Sequence, residues 1–427
     1  MTTPPGPPAA LFTAPGGPTT AYPGFRATVA ALALGQLLSW AALYYGFSSF
    51  VLPMQAELGW SKPQLMGAFT LGLALWGAGS YGAGALIDAG HGRAVMSGGA
   101  LLAGLGFLAW AMVSAPWMLY AVWAVLGLAM AATLYDPAFM VLTKRYPTRY
   151  KDGITQLTLV GGFASTLSFP AVAAMLAAGL GWRATLVVIG VVLLGVALLH
   201  AWALRGPGIV VDPHPTGVTE AATLHQALRE RSFWLLTACF TLYAFAQAAL
   251  WAHVVPAFAA KGVSDAQAML VLMLVGPAQV AGRLGHVWLG RHLPLRRVGA
   301  VVLVGLPLAM LLFALGSSLP ALLLFALLFG VANGLVTIVR GGLVPEYFGR
   351  AHVGRIGGLM STIGLMSRAS APLLASWLLL ALGGYRDMLL VLAGMGALSV
   401  LCFWRAGPPP AWSMAPALPA HYLAAKQ

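Results

Sequence analysis

Twelve long apolar stretches follow one another along this chain of 427 residues. A helix crosses the hydrocarbon core of a bilayer with about 20 apolar residues. The stretches lie at 27–52, 64–87, 94–113, 117–142, 154–178, 183–204, 233–258, 266–290, 298–316, 319–341, 354–380 and 386–405. They predict an all-α integral membrane protein. Only 8% of the residues are charged, against about 25% in soluble domains, so no soluble class fits.

The longest polar segment, 205–232, carries Pro207, Pro213 and Pro215. It reads as a linker between two six-helix bundles, 26–204 and 233–406. Residues 1–25 are rich in Pro, Gly and Thr, and 407–427 hold Pro408, Pro409 and Pro410. Both read as disordered tails. No basic segment with a short apolar stretch and cleavage site opens the chain, so no signal peptide is expected. Of the 23 lysines and arginines, sixteen fall in the tails and loops on the side of the N-terminus. Four lie in the alternate loops (Lys62, Arg183, Lys261 and Arg386), and three lie inside spans. This bias predicts that both termini are cytoplasmic; for a bacterial chain the location would be the plasma (inner) membrane. The net charge of +13 is thus spread over short loops, and nucleic acid is not an expected partner. Cys239 and Cys402 lie in separate spans and suggest neither a disulfide framework nor a metal site.

The two halves repeat each other. Pro53, Ser61, Gln64, Met66 and Gly127 recur 203 positions later as Pro256, Ser264, Gln267, Met269 and Gly330. Pro170 recurs as Pro372 at an offset of 202. Parallel repeats related by an axis along the membrane normal are a transporter architecture, with the site at their interface near the midplane.

Four charges sit where lipid should exclude them: Arg283, Arg340, Arg368 and Asp136. Each would cost about 2.5–3.5 kcal/mol at the bilayer centre, so together they require a polar cavity. Three cations against one acid favour an anionic substrate. There is no HExxH, no GxxxxGK[ST] loop and no G-x-S-x-G. No cofactor and no enzyme chemistry are expected, and energy must come from a gradient.

The loop between the second and third spans reads Gly84-Ala85-Leu86-Ile87-Asp88-Ala89-Gly90-His91-Gly92-Arg93. It resembles the loop signature of the major facilitator superfamily, in which glycines, an aspartate and a terminal arginine make a cytoplasmic latch. A basic residue usual after the aspartate is Ala89 here. A weaker echo is Gly290-Arg291. Within the superfamily the chain looks most similar to the monocarboxylate transporter and oxalate/formate-type carriers. The eighth span, Val275-Gly276-Pro277-Ala278-Gln279-Val280-Ala281-Gly282-Arg283, carries the arginine that the resemblance implies binds a substrate carboxylate. The aspartate that partners it in the best-known animal members is Gln279 here. The resemblance implies twelve helices in two pseudo-symmetric bundles, a monomer sufficient for transport, and a site including Asp88 and Arg93 at the latch.

The residues themselves leave alternatives open. Arg283 binds a carboxylate in two parallel bonds, or snorkels from the end of its span. Arg368 is too deep to snorkel; it binds substrate or struts the halves together. Arg340 snorkels or forms a gate pair with Glu346 in the loop expected at 343–349. Asp136 precedes Pro137, which frees the carbonyl four residues back. The repeat places Asp136 opposite Arg340 or Val339, as a proton switch or a static ion pair. His253 is an alternative proton site, histidine being the side chain suited to that role, or a hydrogen-bonded strut. Tyr44 and Tyr45, with Trp40 and Gln36, line the cavity or simply pack. The small residues Gly161, Gly162, Ser165, Thr166 and Ser168 read as helix packing. The function expected is a secondary transporter of a small organic anion, a monocarboxylate first among them, moved with protons by alternating access. The alternatives are a proton-coupled drug or metabolite efflux antiporter, and a non-transporting nutrient sensor on the same fold.

Overall fold

A computed structural model describes residues 23–206, 221–290 and 293–409. Most of both expected tails, residues 207–220 of the linker, and Arg291 lie outside the described residues. Among the described residues the chain is helical and holds no strand.

The first half comprises α1 (Phe25–Trp40, continued through a π-helical turn Ala41–Tyr45 into Phe47–Leu58), α2 (Lys62–Leu86), α3 (Gly92–Trp110), α4 (Pro116–Thr133 and Tyr135–Arg145), α5 (Tyr150–Gly161 and Ala164–Ala177) and α6 (Trp182–Ala203). The second comprises α7 (Arg231–Ala260), α8 (Asp265–Gly285), α9 (Leu295–Val302 and Gly305–Leu315), α10 (Leu319–Phe348), α11 (Val353–Leu382) and α12 (Tyr385–Arg405). Among the described residues, eleven helical stretches are long and apolar enough to span a bilayer, one of them 49 residues, Lys62–Trp110. A straight helix of that length would run about 74 Å. It is broken at Gly90, whose φ of 91° only glycine adopts freely, and both α2 and α3 pack along α4. It is therefore two crossings, which makes twelve.

The repeat is visible as chemistry. Ser61 accepts from the Gln64 backbone N–H at 3.4 Å and caps α2. Its counterpart Ser264 accepts from the Gln267 N–H at 3.4 Å and caps α8. A Cβ at Gly127 would lie 2.2 Å from the carbonyl oxygen of Gly72, and one at Gly330 would lie 2.7 Å from that of Val275. Those carbonyls are themselves 203 positions apart, so α2 crosses α4 as α8 crosses α10.

Two local expectations are corrected. The stretch 343–349 is not a loop: α10 runs to Phe348, with Pro345 tolerated in its last turn. Gln36 does not line a cavity. It is fully buried and its Nε2 donates to the Thr133 carbonyl at 2.6 Å. That carbonyl is the one Pro137 frees, and Leu134 leaves the helical region at ψ −162°. The amide thus satisfies the break in α4. Gln36→Leu should leave this carbonyl unpaired and cost about 1–3 kcal/mol, read as a lower Tm in detergent. An unchanged Tm would show that the break needs no such partner.

Candidate functional site between the halves

At one end the halves are latched. The Asp88 carboxylate accepts from Lys144 Nζ at 2.9 Å and from the backbone N–H groups of Gly354 at 3.0 Å and Arg355 at 2.7 Å. Those two amides open α11, where unpaired donors and the helix dipole favour an anion. Lys144 also donates to the Ala351 carbonyl at 2.8 Å, Arg350 to that of Pro147 at 2.8 Å, and Lys151 pairs with Glu346. Arg93 takes no part: it is exposed and has no ion pair among the described residues. The Asp88 carboxylate is held by Lys144 and the helix terminus instead. Below the latch α2 and α11 touch backbone to backbone. A Cβ on either Gly84 or Gly354 would lie 2.0 Å from the other's carbonyl oxygen.

Further in, Arg340 forms an ion pair with Asp136 across the two halves and also reaches Ser361 Oγ at 3.5 Å. Asp136 lies in the first turn of the second segment of α4, again a favourable place for a carboxylate. The pair borders a cavity of about 40 Å³, whose lining includes Phe139, Phe240, Met360 and Gly364. That is room for two or three waters. The expected pair of Arg340 with Glu346 does not form. Because α10 continues as a helix, the two are six residues apart and point to different faces, and Glu346 meets Lys151 instead.

The third layer lies at mid-helix. Side chains lean toward the N-terminus of their helix, so Arg283, seven residues before the end of its apolar stretch, reaches back toward the middle. It is 3% exposed, and its Nε donates to the Gly334 carbonyl at 3.1 Å. Its Nη1 is buried without a hydrogen-bond partner. That nitrogen faces the other half: a Cβ on Gly162 would sit 1.9 Å from it. Next to Gly334, Asn333 accepts from Gln247 Nε2, and Gln247 Oε1 accepts from Arg368 Nη2 at 3.0 Å. The two arginines therefore converge on one turn of α10. Tyr135 approaches from the first half: its hydroxyl lies against Gly161, next to the Gly162 that faces Arg283. Among the described residues neither Arg283 nor Arg368 has a carboxylate partner; the ion pairs are Asp88–Lys144, Lys151–Glu346, Arg183–Glu57 and Arg340–Asp136.

The remaining candidates divide. Tyr45 lies in the π-helical turn of α1, a distortion common at functional sites. Tyr44 turns into the aromatic core of its own half, with ring centroids 5.3 Å from Trp40 and 6.3 Å from Trp76. Gln279 makes no side-chain hydrogen bond among the described residues, and its backbone packs against Gly334. His253 stands apart from the other titratable candidates: its Nε2 lies 3.4 Å from the Pro372 carbonyl and 3.3 Å from Ser376 Oγ, joining α7 to α11 within one half. The sequence reading passed over Gln247, Asn333 and Tyr135. The signal available was two lone amides inside apolar spans. Gly162, read as packing, seats a guanidinium from the other half.

Among the described residues, the side-chain hydrogen bonds and ion pairs between the halves all lie between the Thr362–Gly77 bond (2.8 Å) and the latch. Two bundles locked at one end and unbridged at the other, around a mid-membrane polar layer, are what a rocking carrier requires. The family model for the Major Facilitator Superfamily matches residues 32–301, more than half of the chain. The chain belongs to the Major Facilitator Superfamily. No curated protein matches its sequence. The human organic anion transporter MFSD10 (TETRAN) superposes with a TM-score of 0.68 at 16% identity, over 88% of this chain and 99% of that one. A variant of the E. coli fucose:proton symporter FucP superposes with a TM-score of 0.69 at 15% identity, covering 89% and 98%. FucP in the outward conformation gives 0.70 at 14%, with the same coverage. At such identities the likeness concerns the fold. This superfamily member is thus a multi-pass membrane transporter; its substrate must be argued from its own side chains.

Proposed function

We propose that this protein is a secondary transporter of a small organic anion, and that the substrate carboxylate binds at Arg283 and Arg368. One observation carries the reading: a buried guanidinium whose Nη1 has no partner, with a second arginine bonded to a neutral amide and no acid at either. An uncompensated buried cation costs several kcal/mol. An incoming carboxylate removes that cost and gains charge-assisted bonds. In this reading the latched end is the cytoplasmic one, since it carries the basic loops, and the latched arrangement corresponds to an outward-facing state.

Protons are the coupling ion in this reading. Asp136–Arg340 joins the halves beside a cavity able to hold water, so protonation of Asp136 would release Arg340 and loosen the same seam that the latch closes. Asp136→Asn keeps the shape and loses the titration. Uptake driven by an imposed pH gradient into proteoliposomes should fall at least ~10-fold, while exchange of preloaded substrate continues. Undiminished gradient-driven uptake in this variant would exclude the coupling role.

A further inference from the structure

The two walls of the central layer are chemically unlike. The second half supplies cations and amides: Arg283, Arg368, Gln247 and Asn333. The first half supplies rings. The Tyr135 hydroxyl lies against Gly161, next to the Gly162 that seats Arg283, and the ring centroid of Tyr45 is 6.2 Å from that of Phe169, at an interplanar angle of 69°. Phe169 is 46% exposed although it lies against a half-buried tyrosine of the seam. Behind them Trp40 sits 4.9 Å from Tyr135 and 6.4 Å from Tyr45. The one membrane acid of the first half, Asp136, is committed to Arg340.

We propose that the carrier selects monoanions with an aromatic or comparably bulky apolar body, the carboxylate held by Arg283 and Arg368 together and the body lying against Tyr45 and Phe169. This rests on the anion reading above and narrows its substrate class. One carboxylate takes the unpaired Nη1 of Arg283 and the donors that Arg368 keeps beside its bond to Gln247, so both cations are spent on it. A second carboxylate would meet no further cation there, and one tyrosine hydroxyl does not replace its lost hydration. A body as small as that of formate or acetate would leave those rings wet and gain nothing from them. A flat aromatic body buries them and gains edge-to-face contacts.

The test is counterflow in proteoliposomes with labelled benzoate, phenylacetate, acetate, formate and oxalate. Half-saturation for the aryl carboxylates should lie at least ~10-fold below that for acetate, formate and oxalate. Phe169→Ala should shift the aryl-to-acetate ratio ~10-fold toward acetate, and Phe169→Tyr should restore it. Exchange of acetate or oxalate as readily as benzoate would overturn the aromatic selectivity and leave the anion reading standing. So would an unmoved ratio in a folded Phe169→Ala protein. Exchange of no carboxylate at all would overturn both.

Discussion

Arg283→Lys should reduce anion exchange by about 10- to 100-fold, the loss of one charge-assisted interaction of about 1.5–3 kcal/mol. The geometry explains why so conservative a change matters. The Nε bond to the Gly334 carbonyl fixes the plane of the guanidinium, and the fixed plane aims Nη1 at the gap left by Gly162. A lysine ammonium is a point charge on a flexible stem and cannot hold one acceptor while presenting a second donor at a set angle. Arg368→Lys should cost less, because its hydrogen bond goes to Gln247, a side chain able to follow an ammonium. Initial rates of counterflow with a labelled carboxylate below half-saturation would measure both. Normal kinetics in the two variants would remove the argument for an anion.

Gly354→Ala should abolish the latched state. The added Cβ would lie 2.0 Å from the Gly84 carbonyl oxygen, and the obstacle is backbone, which cannot swing aside. The helices would have to part by more than ~1 Å to reach ordinary van der Waals contact. That separation pulls the Gly354 and Arg355 amides from Asp88, so the latch and the close helix contact fail together. Gly84→Ala meets the reciprocal obstacle. With Cys239 and Cys402 replaced by serine, a cysteine at Met140, which lines the cavity beside Asp136–Arg340, reports the change. Its labelling by a membrane-impermeant thiol reagent from the latched side should rise several-fold in Gly354→Ala. Labelling unchanged from the parent would mean that the seam opens without this contact.

Much of the fold was legible before any coordinate, and for identifiable reasons. Most span ends lie close to helix ends because lipid enforces length and because Ser61 and Ser264 announce helix starts in the residues themselves, while the first and tenth helices run on to Leu58 and Phe348. The misread segment, 343–349, failed because Pro345 in a last turn carries the same signal as a proline in a loop. The four membrane charges were conspicuous for their cost in lipid. Their partners were less so. Arg340 has Glu346 six residues away in sequence and Asp136 more than two hundred away, yet it meets Asp136. Gln247 and Asn333 looked like ordinary span residues until Arg368 reached them.

What the chain's residues settled alone is its solvent: stretches this apolar must sit in a bilayer with their backbone bonds closed inside helices, and a repeated pattern of caps and glycines makes two like bundles. What tertiary structure decided is who faces whom across the seam. A guanidinium finds its neighbour through helix crossings and close glycine contacts set by packing over the whole bundle, and no local stretch of sequence encodes that distance.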